Sequence, residues 1–374
     1  MKVGFDATTL TMERSGIGRY TLELLRALME HEPALDLRLM AHRPLDGDLR
    51  ANGIGHLPRL RGPGLPIKLA WMQTLLPVEL AASGFDVCHF TNYHAPLATP
   101  VPMIVNLHDM SLLLTPERHP SRRVMTMRPL LRGVAHRAAA VICLSESARA
   151  DAIRVLDLDP AKVRVVPAAP ASAFRPVGDG STLAAAARRF GLEPGFLLFV
   201  GTIEPRKNLV RLVEAYARLR AGGFGAPLVL CGGSGWKNGD LVARIDALGI
   251  RPHVRLLGFV PDEDLPLLLN LCGAFVYPSL YEGFGLPIIE ALACGTPTVT
   301  SDRGATAEVA GDAALLVDPE DVEALTSGLA RALYDEPLRE ALRAAGPVRA
   351  ADFSWERAAH ATASLYRDVV GQRA

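Results

Sequence analysis

Short apolar runs alternate with longer amphipathic stretches along almost the whole chain, and this alternation limits the possible folds more than any other feature of the sequence. Strands read at Lys2–Asp6, Leu35–Met40, Val87–Phe90, Met103–Leu107, Ala140–Leu144 and Val163–Val166. A Pro/Ala/Gly-rich stretch, Pro167–Gly180, breaks the pattern and reads as a linker. A second series follows at Phe196–Val200, Leu228–Cys231, Val254–Leu257, Ala274–Tyr277, Thr298–Thr300 and Ala314–Val317. Runs of this kind, separated by helices such as the one carrying Tyr20, Leu24, Leu25 and Leu28 on one face, imply an α/β fold with parallel sheets. The length of 374 residues fits two domains at about 100–200 residues each. We place them at 1–172 and 173–354, Rossmann-like and facing across a cleft, with a final helix at about 355–374 that Ser354 can cap.

The segment Glu282-Gly-Phe-Gly-Leu-Pro-Ile-Ile-Glu290 carries the strongest chemical signal. Pro287 suits the first turn of a helix and Gly295 the position just past its end. Glu282 then precedes the helix and Glu290 lies about one turn inside it. Helical side chains lean toward the N-terminus, so both carboxylates can reach the space in front of the helix. Free backbone N–H groups and the positive end of the dipole there attract phosphate. Carboxylates instead accept paired hydrogen bonds from vicinal hydroxyls. A ligand with a phosphate core and hydroxyl-bearing groups on either side fits this arrangement, and a sugar nucleotide has that form. The bland alternative, that acids simply favour a helix N-terminus, accounts for one acid but not for the Gly-X-Gly lead-in.

Other segments at strand ends add to this. Val200-Gly-Thr-Ile-Glu-Pro-Arg-Lys-Asn208 opens a helix with Leu209, Leu212, Val213, Tyr216 and Leu219 at helical spacing. Ligands in open α/β sheets bind at the carboxyl ends of strands, so Arg206 and Lys207 stand where a diphosphate would be held. Ser15-Gly-Ile-Gly-Arg-Tyr20 resembles a truncated dinucleotide fingerprint. It lies too far from its strand to read as an NAD site, so Gly16 and Gly18 read as a glycine turn bringing N–H groups near a phosphate, or as a plain connection. Asn106-Leu-His108-Asp109 ends another strand, where Asp109 could orient His108 toward the ligand or His108 could be a satisfied core histidine. Glu146 follows the next strand beside Ser145 and Ser147, which can cap a helix. Gly232-Gly233-Ser-Gly-Trp-Lys237 could bring backbone and an amine close to a nucleotide.

Composition narrows the partners. Lys plus Arg and Asp plus Glu both number 40, so bulk charge names no partner and nucleic acid is not expected. Five scattered cysteines without CxxC spacing read as reduced core thiols, hence a reducing, cytoplasmic compartment. The N-terminus reads as a strand rather than a signal peptide, and no apolar run reaches the ~18 residues of a membrane span. Arg122, Arg123, Arg128, Arg132 and Arg137 are interleaved with Val124, Met125, Met127 and Leu130. That face, with the amphipathic stretch 65–76, reads either as a peripheral contact with an anionic membrane surface or as ordinary packed helices with solvated arginines. The Asp-X-Asp pieces at 46–48, 157–159 and 262–264 read as turns and caps, and no metal is expected.

Taken together these residues resemble a retaining glycosyltransferase of family 4, mannosyltransferase-like branch, over nearly the whole chain. The matching stretches are Leu257-Gly-Phe-Val-Pro-Asp-Glu-Asp-Leu265, Val276–Pro297, Glu204-Pro-Arg-Lys-Asn208 and Ser15-Gly-Ile-Gly-Arg19. The resemblance implies the GT-B fold, with the last helix crossing back onto the first domain. It implies that Glu282 contacts the donor sugar and Glu290 the ribose, while the backbone of Phe284, Gly285 and Leu286 meets sugar and phosphate. Arg206 and Lys207 would hold the diphosphate, Gly16 would approach it from the first domain, and His108 would lie beside the transferring carbon. Gly18, Asp109, Glu146, Gly233, Lys237 and Val260 are secondary candidates. Thr202 and Ala168-Ala169 depart from the family pattern, which usually has Arg and Asn-Gly there. The implied reaction is metal-free, cofactor-free retaining transfer of a hexose to a glycan or lipid-linked glycan acceptor in cell-surface polysaccharide synthesis. GDP-mannose is the favoured donor, with dTDP-rhamnose or a UDP-sugar as alternatives. A sugar-nucleotide epimerase of the same fold and a non-catalytic nucleotide-binding protein are the competing readings.

Overall fold

A computed structural model describes residues 1–11, 16–43, 53–60, 67–233, 235–236 and 239–372. The chain forms two compact units, Met1–Ala168 with Ser354–Ala374, and Ala169–Phe353. Every strand read from the sequence is present, each end moved by at most one residue.

The first unit is a six-stranded parallel sheet. Its strands are β1 (Lys2–Asp6), β2 (Asp36–Met40), β3 (Val87–Phe90), β4 (Met103–Asn106), β5 (Ala140–Cys143) and β6 (Val163–Val165), in the order β2-β1-β3-β4-β5-β6. Strands β3, β4 and β5 are buried at every position, as parallel strands covered by helices on both faces must be. Helix α1 (Gly16–His31) buries Tyr20, Leu24, Leu25 and Leu28. Helix α2 (Lys68–Ser83) buries Trp71, Met72, Leu76 and Leu80, and helix α3 (Ser121–Arg137) buries Leu130, Leu131 and Val134. Met125 on α3 and Ile67 and Val78 on or next to α2 are exposed. Helix α4 (Glu146–Leu156) starts at a Ser145 cap that accepts from Ala148 N–H.

The second unit repeats the architecture. Its strands are β7 (Leu197–Val200), β8 (Leu228–Cys231), β9 (Val254–Gly258), β10 (Ala274–Tyr277), β11 (Thr298–Ser301) and β12 (Leu315–Val317), ordered β12-β11-β10-β7-β8-β9. Helix α5 (Leu209–Ala221) follows β7, helix α6 (Leu286–Ala293) follows β10, and helix α7 (Glu336–Ala350) packs on α6. Strand order reverses between β1 and β3 in the first unit and between β7 and β10 in the second. The crevice beyond the carboxyl ends of strands at such a reversal is where open α/β sheets bind ligands. The loops after β7 and β10 carry Arg206-Lys207 and Glu282.

The last helix, α8 (Trp355–Gly371), belongs to the first unit and packs on α1. Glu32, at the end of α1, is nearly buried and accepts from His360 Nδ1 at 2.9 Å and from Arg367. Tyr366 reaches the core and bonds His89 on β3.

Gly232 shows how tightly the strand-end loops of the second unit are joined. Its φ is +141°, and a Cβ there would lie 2.0 Å from the Gly201 carbonyl oxygen. Gly201 N–H donates to Cys231 O, Ile203 N–H to Gly233 O and Gly235 N–H to Ile203 O. The close approach expected of this glycine loop is therefore made, but to the loop after β7. Gly232→Ala should destabilise the second unit by about 3 kcal/mol or more in urea unfolding, because backbone must move. Gly16→Ala, whose Cβ would meet nothing within 4 Å, should leave stability within about 0.5 kcal/mol of wild type.

Candidate active site

In the second unit, the turn after β7 places Arg206 and Lys207 in a short 3-10 helix, Pro205–Lys207. Asn208 then adopts a left-handed conformation, φ 61°. Its side-chain amide donates to Pro278 O and Pro319 O, pinning this turn to the loops after β10 and β12. The Arg206 carbonyl accepts from Leu280 N–H. The two loops are thus held together before any ligand contact is considered.

Across that junction four charges pair. Lys207 Nζ donates to Glu282 Oε1 at 2.5 Å and to the Tyr277 hydroxyl at 2.6 Å. Arg206 Nη1 donates to Glu282 Oε2 at 2.7 Å and to Tyr281 O at 2.9 Å. Its Nε and Nη2 both donate to Glu204 Oε1, at 3.1 and 2.7 Å. All four side chains are at most 13% exposed. Burial alone would push the Glu282 carboxyl up, but Arg206 and Lys207 outweigh it and hold the group below its ordinary value. Burial lowers the Lys207 ammonium, and Glu282 opposes that. Glu204 and Tyr277 were not picked out from the sequence. Glu204 sits two residues from Arg206 in the same turn, which was a usable signal, whereas Tyr277 reads only as an apolar strand end.

Gly285 precedes α6 with φ +102°, and a Cβ there would meet Ile288 Cδ1 at 2.8 Å. Pro287 lies in the first turn and Gly295 follows the last, at φ +69°. Leu286 begins the helix, and Phe284 is buried against Phe353. Glu290 is 3% exposed in the second turn. Its charge adds to the burial that pushes the Cys294 thiol up to about 12. Val260 is buried beyond β9. Gly233 has open space at its Cβ position, and Lys237 lies outside the described residues.

In the first unit, His108 stands two residues beyond β4 and its Nε2 bonds the Thr91 carbonyl at 2.8 Å. A carbonyl only accepts, so Nε2 carries the proton. Burial lowers the His108 pKa, with the Thr91 bond and the Asp109 charge opposing. The ring is oriented by Thr91, whereas Asp109 Oδ1 accepts from Ser111 N–H at 2.8 Å and from Ser111 Oγ. Asp109 thus closes a local turn, as a short side chain reaching the backbone two residues on does, and acts on His108 through its charge. Tyr20 packs edge-on against His108, centroids 5.1 Å apart. Gly16 and Gly18 fall inside the first turn of α1 rather than in a separate glycine turn. Glu146 is exposed at the start of α4 and pairs with Arg149 at 3.4 Å. Asp157 and Asp159 do serve as caps, and Asp264 occupies the cap position of the helix Leu265–Leu271. The piece at 46–48 lies outside the described residues.

Behind His108 runs a buried polar chain that the sequence did not reveal. Asn106 Nδ2 donates to the Tyr20 hydroxyl at 2.7 Å, Asn106 Oδ1 accepts from His89 Nε2 at 2.6 Å, and His89 Nδ1 meets the Tyr366 hydroxyl at 2.6 Å. Burial pulls His89 down to about 4, despite the opposing bond to Asn106. The unfolded chain takes up a proton at about 6.5 and the folded unit does so only near 4, so stability is full above that window and falls as pH drops through it. At pH 5 His89 should account for about 2 kcal/mol of lost stability relative to pH 7. Urea unfolding at the two pH values should show the loss in wild type and a correspondingly smaller one in His89→Gln.

Residues 15–169 match the glycosyl transferase 4-like domain, and residues 184–349 match the glycosyl transferases group 1. The chain is 33% identical to the O-antigen chain mannosyltransferase B of Escherichia coli, covering 98% of this chain and 100% of that one. It belongs to glycosyltransferase family 4. It is also 30% identical to a D-inositol 3-phosphate glycosyltransferase of Jonesia denitrificans, over 95% of this chain and 92% of that one. Among solved structures it is similar to sucrose-phosphate synthase from Thermosynechococcus elongatus, with a TM-score of 0.77 at 22% identity over 99% of both chains. It also matches the Anabaena Alr3699/HepE complex with UDP and glucose, with a TM-score of 0.77 at 19% identity over 98% of this chain and 99% of that one. At such identities the structural likeness bears on the fold, which is GT-B. This family 4 chain is therefore a glycosyltransferase.

Proposed function

We propose that this enzyme transfers mannose from GDP-mannose, with retention and without a metal, to a glycan or lipid-linked glycan in cell-surface polysaccharide synthesis. The observation that carries the reading is the joined pair of loops at the β7/β10 strand-order reversal, which brings Arg206, Lys207 and Glu282 into one buried cluster. The full-length similarity to an O-antigen mannosyltransferase supports mannose and the glycan acceptor. In this reading Arg206 and Lys207 stabilise charge building on the departing phosphate as the sugar passes through an oxocarbenium-like state. The departing phosphate takes the acceptor's proton on the same face. Glu282 meets the donor sugar and Glu290 the ribose, with the Phe284–Leu286 backbone beside sugar and phosphate. His108 lies beside the transferring carbon. A lipid-linked acceptor is supported by the exposed Met125 on α3, flanked by Arg122, Arg123 and Arg128.

A UDP-sugar is the second reading, favoured by the likeness to a protein solved with UDP and glucose. Thermal shifts with GDP, UDP, dTDP and ADP separate the two, because a ligand bound only by the folded state raises the melting temperature. GDP should give the largest shift, and a larger shift with UDP would transfer the assignment to a UDP-sugar. Lys207→Ala and Glu290→Ala should each lower transfer by about 10²–10³-fold or more in a sugar-release and product assay while remaining folded. Wild-type rates in both would overturn the site. Activity should survive a chelator, and loss that magnesium restores would overturn the metal-free reading.

A further inference from the structure

The four charges of this cluster cancel. Arg206 and Lys207 contribute two positive charges, and Glu204 and Glu282 two negative ones. Glu282 alone occupies both cations, one carboxylate oxygen on each, at 2.5 and 2.7 Å. A carboxylate straddling a lysine and an arginine makes the contacts that two phosphate oxygens would make. A diphosphate approaching this set as it stands meets no excess positive charge, and it meets an ionised carboxylate where its own oxygens must go. Glu204 does not share this position. It touches only the Nε and Nη2 side of Arg206, away from Lys207, and holds the guanidinium from behind.

We propose that Glu282 exchanges partners when donor binds, leaving Arg206 and Lys207 to the diphosphate and turning to sugar hydroxyls, so that it discriminates a sugar-bearing diphosphate from a bare one. The inference rests on the reading of this cluster as the donor site. Its physical basis is an accounting of charged hydrogen bonds. A bare diphosphate breaks the two Glu282 pairs and leaves that carboxylate beside its own negative charge, with only the neutral Ser279 and Tyr277 hydroxyls at hand. A sugar diphosphate breaks the same pairs but supplies hydroxyls that donate to the displaced oxygens. Charge-assisted hydrogen bonds are about twice as strong as neutral ones, so losing two at a buried carboxylate without replacement is large enough to measure. The same exchange favours product release. Once the sugar has left, Glu282 loses those hydroxyls and competes again for the two cations against the nucleoside diphosphate. In the second unit, Tyr277 still holds Lys207, and Glu204 and the Tyr281 carbonyl still hold Arg206, so the cations stay in place during the exchange.

Inorganic pyrophosphate tests this without assuming a base or a sugar. Glu282→Gln removes one negative charge, keeps the side-chain volume, and leaves the cations for the ligand. Titration calorimetry should show Glu282→Gln binding pyrophosphate about tenfold or more tighter than wild type. Adding Lys207→Met to that variant should remove the gain. Equal or weaker pyrophosphate binding by Glu282→Gln, checked as folded by circular dichroism, would overturn the inference. If Glu282→Gln does not fold, the wild type decides. The nucleoside diphosphate giving the largest thermal shift should then bind about tenfold more weakly than its hexose-bearing form, and equal affinities would overturn the exchange. Absence of any nucleotide shift would instead count against the donor-site reading, while the pyrophosphate comparison still judges Glu282.

Discussion

Four buried charges hold two strand-end loops of the second unit together. Arg206 and Lys207 on the turn after β7 pair with Glu282 on the loop after β10, and Glu204 fixes Arg206 from its other side. Buried charges are tolerated only when paired and hydrogen-bonded, so the cluster ties the two loops at the point where strand order reverses. Asn208 repeats the tie with neutral bonds to two backbone carbonyls. Behind them Phe199, Tyr277 and Phe275 stack nearly parallel, giving Tyr277 a rigid base from which its hydroxyl meets Lys207. Contacts within the second unit thus position both cations.

The first unit uses a different device for the same end. A chain of neutral hydrogen bonds runs from Tyr366 on the last helix through His89 and Asn106 to Tyr20, whose ring packs on His108. Every link has a donor and an acceptor, which makes the buried polar core affordable and fixes the rotamers along it. The terminal helix is therefore part of what supports the residues beyond β3 and β4. Its contribution explains why a segment so distant in sequence belongs to this unit.

Much of the fold was legible in the sequence. Runs such as Leu197–Val200 and Ala274–Tyr277 are apolar at every position, and that pattern suits a strand covered on both faces. The Gly285, Pro287 and Gly295 positions of α6 were readable because each residue type answers a local backbone requirement. The role of Asp109 was not legible in the sequence for a physical reason. A short carboxylate beside a histidine can orient it or bond its own following backbone, and nearest-neighbour order does not say which. The glycines at 232 and 235 make room for another loop. Glycine reports a close approach but not the identity of what approaches.

The sequence by itself determined the two α/β series, the helix start at Leu286 and the residue types able to meet a phosphate and hydroxyls. It did so because burial on two faces, helix capping and charge are properties of neighbouring residues. Only the tertiary structure decided that Glu282 rests on Lys207 and Arg206, that Glu204 braces the arginine, and that Tyr366 anchors a chain of bonds leading toward His108. Those partners are separated by 75 and 277 positions in the two clearest cases. Periodicity carries no information over such spans. Which buried donor finds which acceptor is settled only when packed strands bring their ends together and every buried polar group must be satisfied.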